Sequence, residues 1–388
     1  MNILHAINST NPAGGGPIEA ITQADRALRP MGHSSEVVCL DSPDAPWIKN
    51  APFPSHASGP AFSYYRYSPR FVPWIRNNAK RFDCVIVHGI WRFPTMGVRM
   101  ALRNSSTPYF IYTHGMMDPT FRTLFPARHM IKNTWWRLAE HRIVRDARAV
   151  FFTCEEEKRL AHQSFKPFEC RGAIVPYCVG EPPGNPGVQK DAFLERFPEL
   201  AGKRCMLFLS RIHKKKGCDL LLQAFAKVAK ENAGIHLVMA GPDSMNWQAS
   251  LQQDAALRGV ADRITWTGML SGDMKWGAFR CADVFALPSH QENFGIAVVE
   301  ALACGVPVLI TNRINIWREI EQDEAGIIHD LGATETEKAL RAWLNQSPEV
   351  SGKMRSNARS CFEHRFRADA AAENLLHVLK AFGVNKPT

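Results

Sequence analysis

The sequence predicts an α/β protein made of two doubly wound parallel sheets. Three observations predict it. Short apolar runs alternate with helical-period stretches almost throughout, the pattern of helices packed on a parallel sheet. A Pro/Gly cluster, Val179-Gly-Glu-Pro-Pro-Gly-Asn-Pro-Gly187, divides the alternation into two sets. The length of 388 residues suits two domains of ~100–200 residues each. The expected division is a first domain at 1–180, a linker at 181–190, a second domain at 191–365, and a terminal helix at 366–388 crossing back to the first domain.

Strands covered on both faces read as continuous apolar runs, and six such runs occupy the first set. They are Asn2–Ile7, Glu36–Leu40, Cys84–His88, Tyr109–Tyr112, Ala149–Thr153 and Ala173–Val175. Helical periodicity marks Pro17–Leu28, Arg128–Val144 and Glu155–Phe165 between them. Residues 43–73, rich in Pro, Ser and aromatics, read as an irregular excursion. The second set has runs at Cys205–Ser210, His236–Ala240, Ile264–Trp266, Val284–Leu287, Val306–Ile310 and Gly326–Ile328, and helical pattern closes the chain from Thr334 to Phe382.

Composition narrows the class. At 45% hydrophobic and 22% charged residues, wholesale disorder and collagen-like repeats are excluded. No uncharged apolar run approaches the ~18–20 residues of a spanning helix. The start MNILHAINST lacks a basic n-region, so no signal peptide is expected. Ten cysteines without a CxxC pair read as reduced core residues of a cytoplasmic protein, with no structural metal expected. The net charge is +10, and Arg66–Arg148 alone holds 15 basic and 4 acidic residues. A field so localised favours an anionic partner: a membrane surface, a nucleic acid or a phosphorylated substrate.

Ligands of open α/β sheets sit at the carboxyl ends of strands, so the residues just after each run are the informative ones. Gly14-Gly15-Gly16-Pro17 follows the first run; the glycines admit close backbone approach, and a helix starting at Pro17 would face anionic oxygens. An ordinary turn explains the same residues, and Glu19 departs from G-x-G-x-x-G. Ser210-Arg211-Ile-His-Lys-Lys-Lys216-Gly217 follows Cys205–Ser210; an Arg fork and Lys point charges there clamp a diphosphate or form a solvated charge run. In Pro288-Ser-His-Gln-Glu292-Asn-Phe-Gly-Ile-Ala-Val-Val-Glu300, the amides of Asn293–Gly295 open a helix toward oxygens. Glu300 sits amid apolar residues, where an unpaired carboxylate is costly and ribose hydroxyls would satisfy it; capping and surface exposure are the plainer alternatives for the two glutamates. Thr113-His114-Gly115-Met-Met-Asp118-Pro119 and His88-Gly89-Ile-Trp91 each place a histidine at a strand end, able to donate a hydrogen bond, move a proton, or simply satisfy its loop.

In this order and spacing, SRIHKKKG, TGML and HQENFGIAVVEALACGVPV resemble the retaining GT-B glycosyltransferases of family 4, of the type working on bacterial surface polysaccharides. The resemblance is firmest over 204–320 and extends along the chain through the Gly loop and THGMMDP. It implies two Rossmann-like domains facing each other across a cleft, the first for acceptor and the second for a nucleotide sugar. Arg211 and Lys216 would hold the donor diphosphate, Glu292 the sugar hydroxyls, and His114 would contact the sugar near the reacting carbon. Gly15, Gly16, Leu270, Asn293, Phe294, Gly295 and Glu300 would complete the nucleotide-sugar site, with Glu300 on the ribose and Leu270 beside the base. His88, Trp91 and Asp118 are the acceptor-side candidates. Asn293 stands where glycine is more usual, and Ile212-His213 replaces a leucine-led continuation.

The implied reaction moves a sugar from a UDP- or GDP-sugar to a hydroxyl of a glycan or lipid-linked glycan, in exopolysaccharide or lipopolysaccharide synthesis. No D-x-D is present, and two cations already face the leaving group, so neither metal nor cofactor is expected. Double displacement needs a carboxylate nucleophile that the resemblance does not supply, which favours same-face substitution. The stretch Ala127–Arg148 carries Trp135 and Trp136 among six Lys/Arg, a composition suited to the inner face of an anionic membrane. A non-catalytic nucleotide-sugar-binding subunit and a GT-B sugar-nucleotide epimerase are the alternatives. A nucleic-acid partner has only charge behind it and is not expected.

Overall fold

The computed structural model describes residues 1–12, 16–243 and 245–384. It divides into two compact units, Met1–Gly180 with the segment from Arg367 onward, and Glu181–Phe366.

The first unit is built on seven parallel strands in the order β3-β2-β1-β4-β5-β6-β7. They are β1 (Asn2–Ile7), β2 (Ser34–Cys39), β3 (Ser55–Ala57), β4 (Cys84–His88), β5 (Tyr109–Tyr112), β6 (Ala149–Phe152) and β7 (Gly172–Ile174). Every residue of β4, β5 and β6 is buried, as expected where helices cover both faces of a parallel sheet. The strand order reverses between β1 and β4, so the crevice beyond their carboxyl ends is this sheet's natural ligand position. Helix Ala368–Ala381 packs against Gly16–Leu28 and buries Ala371, Ala372, Leu375, Leu376 and Leu379.

Two differences from the sequence reading have physical causes. The segment 43–73 holds β3, an edge strand of three half-buried residues that is too short to show a period. The helix expected at 128–144 runs from Pro126 to Asp146 with a π-helical turn at Trp136–Glu140. That turn carries Trp136 into the core, fully buried, where its Nε1–H donates to Pro167 O at 2.7 Å. Trp136 is therefore not a surface residue of this helix; Met130, Ile131 and Leu138 are, at 70%, 72% and 64% exposure.

The second unit has six parallel strands in the order β10-β9-β8-β11-β12-β13. These are β8 (Arg204–Leu209), β9 (Ile235–Ala240), β10 (Ile264–Gly268), β11 (Ala282–Leu287), β12 (Val308–Thr311) and β13 (Gly326–His329). Its order reverses between β8 and β11, the two strands whose following loops carry the basic motif and the paired glutamates. Phe208, Phe225, Phe279 and Phe285 fill the core. Asn185 starts the unit by capping helix Pro186–Arg196, its Oδ1 accepting from Gly187 N at 2.9 Å and Val188 N at 3.3 Å. Among the described residues, no helix is long and apolar enough to cross a membrane.

Candidate active site

In the second unit the loops after β8 and β11 are stitched together. Gly217 adopts φ +70°, and a Cβ there would lie 2.0 Å from Pro288 O, so only glycine lets the two backbones meet. Just before it, His290 N–H donates to Lys215 O at 2.9 Å. This junction brings Lys216 and Glu292 into direct contact through Nζ and Oε2. Lys216 is buried; that burial, with Lys215 and Arg211 nearby, pulls its ammonium down to about 7. Arg211 is exposed, and among the described residues no carboxylate lies within ion-pair distance of it. One cation is thus spoken for by an internal anion, and the other is open.

The helix Ile296–Ala303 begins at Gly295, whose φ of +72° turns the chain out of the loop. Asn293 Oδ1 accepts from Asn315 Nδ2 at 3.2 Å, and Asn293 N–H donates to Glu292 Oε1 at 3.3 Å. The Phe294 ring is buried edge-on against Phe366, centroids 5.6 Å apart, so it packs and only its backbone can face a ligand. Glu300 is held by Lys275 Nζ at 2.7 Å. Leu270 is half-buried just beyond β10. Lys275, on helix Gly272–Cys281, escaped the sequence reading; the only signal was a lone Lys one turn into a helix.

In the first unit, the candidate histidines form a hydrogen-bonded wire. His5 Nδ1 meets His88 Nε2 at 2.9 Å, His88 Nδ1 meets His114 Nε2 at 3.0 Å, and His114 Nδ1 meets the Tyr177 hydroxyl. A neutral ring carries one N–H, so the wire has only two self-consistent directions. Burial drives all three rings toward neutrality, taking His5 down to about 4, His114 to about 3 and His88 well below its ordinary value. The neighbouring histidines add to the effect at His88. His88 and His114 are bonded through both nitrogens, while among the described residues His5 Nε2 has no partner; neutral rings tied in this way are poor proton shuttles. His88, an acceptor-side candidate, is 8% exposed and lies in the middle of the wire.

His114 itself has φ +50°, and its loop is fixed by the buried Glu157, which accepts from Thr113 Oγ1 at 2.7 Å and Gly115 N at 2.6 Å. What this loop can offer a ligand is backbone and ring edge. Asp118 is buried and accepts from Thr120 N at 2.8 Å, so it too is occupied locally. Trp91, at φ +72°, donates its backbone N–H to the buried Glu140 at 3.1 Å. Gly16 opens helix Gly16–Leu28, while Gly15 lies outside the described residues. Tyr177 and Glu157 were also missed: Tyr177 meets His114 across 63 residues, and Glu157 reaches Thr113 and Gly115 across 44 and 42, which only the sheet order joins. Among the described residues no group of three His, Cys, Asp or Glu is placed to hold a metal ion.

Comparison with known proteins bears on both units. Residues 189–360 match the family model "Glycosyl transferases group 1", and residues 15–178 match "Glycosyl transferase 4-like domain". A D-inositol 3-phosphate glycosyltransferase of Segniliparus rotundus is 32% identical over 184 residues, 46% of this chain and 40% of that protein. The match therefore spans less than half of that relative's length. A 2-deoxystreptamine N-acetyl-D-glucosaminyltransferase of Niallia circulans is 22% identical over 84% of both chains. Among solved structures, Anabaena HepE in complex with UDP and glucose superposes with a TM-score of 0.76 at 16% identity, covering 98% of this chain and all of that one. The likeness establishes the GT-B fold: two Rossmann-like parallel sheets, of seven and six strands. The chain accordingly consists of a glycosyl transferase 4-like domain followed by a domain of the group 1 glycosyl transferases.

Proposed function

We propose that this protein is a retaining glycosyltransferase that moves a sugar from a nucleotide-diphosphate sugar, a UDP- or GDP-sugar, to a hydroxyl of a glycan or lipid-linked glycan. The observation that carries the reading is the pairing of Lys216 with Glu292 beside the open Arg211, at the switch point of the second sheet. An arriving diphosphate takes Lys216 from Glu292 and adds the Arg211 fork; the freed carboxylate then accepts from the sugar hydroxyls. Glu300, released from Lys275 in the same way, accepts from the ribose. As the anomeric bond breaks, the two cations stabilise the departing phosphate. Its oxygen takes the acceptor's proton on the same face. No metal ion or cofactor is called for.

For a place at the inner face of the cytoplasmic membrane, in surface-polysaccharide synthesis, the support is the same helix that buries Trp136. Met130, Ile131 and Leu138 project alongside Arg128, Lys132 and Arg137, an apolar edge flanked by cations that suits an anionic bilayer surface.

The test is turnover of radiolabelled UDP- and GDP-sugars, with and without lipid-linked acceptor. Lys216→Ala and Arg211→Ala should each lower the rate by ~10²–10³ while the fold survives. Donor conversion to a new sugar nucleotide without acceptor would instead identify an epimerase, and tight nucleotide-sugar binding without turnover a binding subunit.

A further inference from the structure

The carboxyl edge of the first sheet bears an aromatic turn that none of the roles above uses. Beyond β3 the chain doubles back between Phe62 and Tyr67, which exchange backbone hydrogen bonds of 2.8 and 2.9 Å. Within the turn Ser63 and Arg66 hold left-handed backbone at φ 62° and 63°, a conformation such residues keep only when their surroundings impose it. Those surroundings are the inward half of the turn. Tyr65 packs edge-on against Phe93 and Trp135, at 6.0 and 5.5 Å, and Phe93 N–H donates to Tyr65 O at 3.0 Å. The turn is thereby fastened to the loop that follows β4.

Its outward half presents Phe62, Tyr64 and Tyr67, with Tyr64 82% exposed. An aromatic ring on a rigid, fastened turn has already lost the freedom that binding would otherwise remove. The guanidinium of Arg92 lies 4.0 Å from the Tyr64 ring centroid, and Lys132 Nζ lies 5.0 Å from that of Trp91. Among the described residues neither cation has a carboxylate within ion-pair distance. Glu140, whose charge acts on Lys132, is buried and committed to Trp91 N, Thr95 Oγ1 and Trp135 Nε1. The edge therefore combines open aromatic faces with uncompensated positive charge.

We propose that this turn is the acceptor platform: the C–H face of a pyranose ring rests on Tyr64, and an anionic substituent of that sugar, phosphate or carboxylate, is received by Arg92 and Lys132. The assignment rests on the glycosyltransferase reading and narrows its acceptor to an anionic saccharide. Aromatic faces take apolar surface while a neighbouring hydroxyl keeps a polar handle, which matches a sugar's two-sided character. The guanidinium supplies planar recognition of the anion. The aliphatic side chains that would enter a bilayer, Met130, Ile131 and Leu138, stand on the neighbouring helix, whereas the tip here is Ser-Tyr-Tyr-Arg, with a hydroxyl or a charge on every residue.

The experiment is saturation-transfer NMR and calorimetry on the full chain, saturated with UDP to occupy the donor side, using methyl glucoside, glucose 6-phosphate and glucuronic acid as probes. One of the two anionic probes should bind at least tenfold better than methyl glucoside, which tells phosphate from carboxylate. Its binding should weaken at least tenfold in Tyr64→Ala and Arg92→Gln and persist in Tyr64→Phe. Tyr64 is so exposed that its variant should melt with the wild type. Equal binding of all three probes, or anionic binding unchanged in Tyr64→Ala, would overturn the proposal. So would loss of sedimentation with phosphatidylglycerol vesicles in Tyr64→Ala alongside unchanged sugar binding, which would make the turn a lipid contact. Nucleotide binding by thermal shift, measured in parallel with Lys216→Ala, separates the two readings. Tyr64-dependent sugar binding without any nucleotide response would uphold the platform and sink the transferase.

Discussion

Mild acid should unfold the first unit through its histidine wire. In the unfolded chain each ring titrates near 6.5; in the fold, His5 sits at about 4, His114 at about 3 and His88 well below normal. A folded pKa depressed in this way means that the unfolded state binds the proton first, so stability is complete above about pH 6.5 and drains away as pH falls toward 4. Between pH 7 and pH 5 each ring that stays neutral costs about 2 kcal/mol of stability, so three cost about 5–6 kcal/mol. That is comparable with the whole stability of an ordinary domain. The assay is urea unfolding from pH 7 to pH 5, followed by tryptophan fluorescence, to which the first unit contributes Trp47, Trp74, Trp91, Trp135 and Trp136, for the wild type and His5→Gln. The variant starts lower at pH 7 but lacks one titrating ring, so its slope should be smaller by about 1.4 kcal/mol per pH unit around pH 5. Parallel curves for the two proteins would refute the reasoning, because the rings would then be charging in the native state.

Gly217→Ala should lower the stability of the second unit by about 2–5 kcal/mol, from left-handed strain and the contact with Pro288 O, and differential scanning calorimetry should find its transition shifted downward. Because that junction sets Lys216 against Glu292, nucleotide affinity should fall with it, by an amount that titration calorimetry can read. Ile131→Glu with Leu138→Glu should weaken sedimentation with anionic vesicles at least tenfold, since each lost side chain forfeits about 1.5–3 kcal/mol of apolar transfer. Nucleotide-sugar binding, read by thermal shift, should be untouched in that double variant.

The architecture was legible because most of its strands are uninterrupted apolar runs, and the switch-point loops because their charges follow those runs directly. Glu300 announced itself by standing alone in an apolar helix, though its partner Lys275 did not. The wire was illegible for a different reason. His5 and His88 lie 83 residues apart, and the β1–β4 pairing that sets His5 opposite Ile86 is a property of topology. A histidine within a fully apolar strand was the available signal, since a buried ring needs a partner. Trp135 and Trp136 read alike in sequence, and only a π-helical turn decides that one stays half-open while the other enters the core. Local pattern finds elements; what pairs across elements needs the register.

The return of helix Ala368–Ala381 to the first unit sets a timetable for biosynthesis. The unit that is begun first is the one completed last, because all of residues 181–366 must leave the ribosome before that helix can dock on Gly16–Leu28. At ~5–20 residues per second this leaves the apolar groove that receives Leu375, Leu376 and Leu379 uncovered for roughly 10–40 s. The second unit, contiguous in sequence, has no such delay and can fold as it emerges. Chaperones that shield nascent apolar surface should therefore be needed by the first half of this protein and be released only when its last helix arrives.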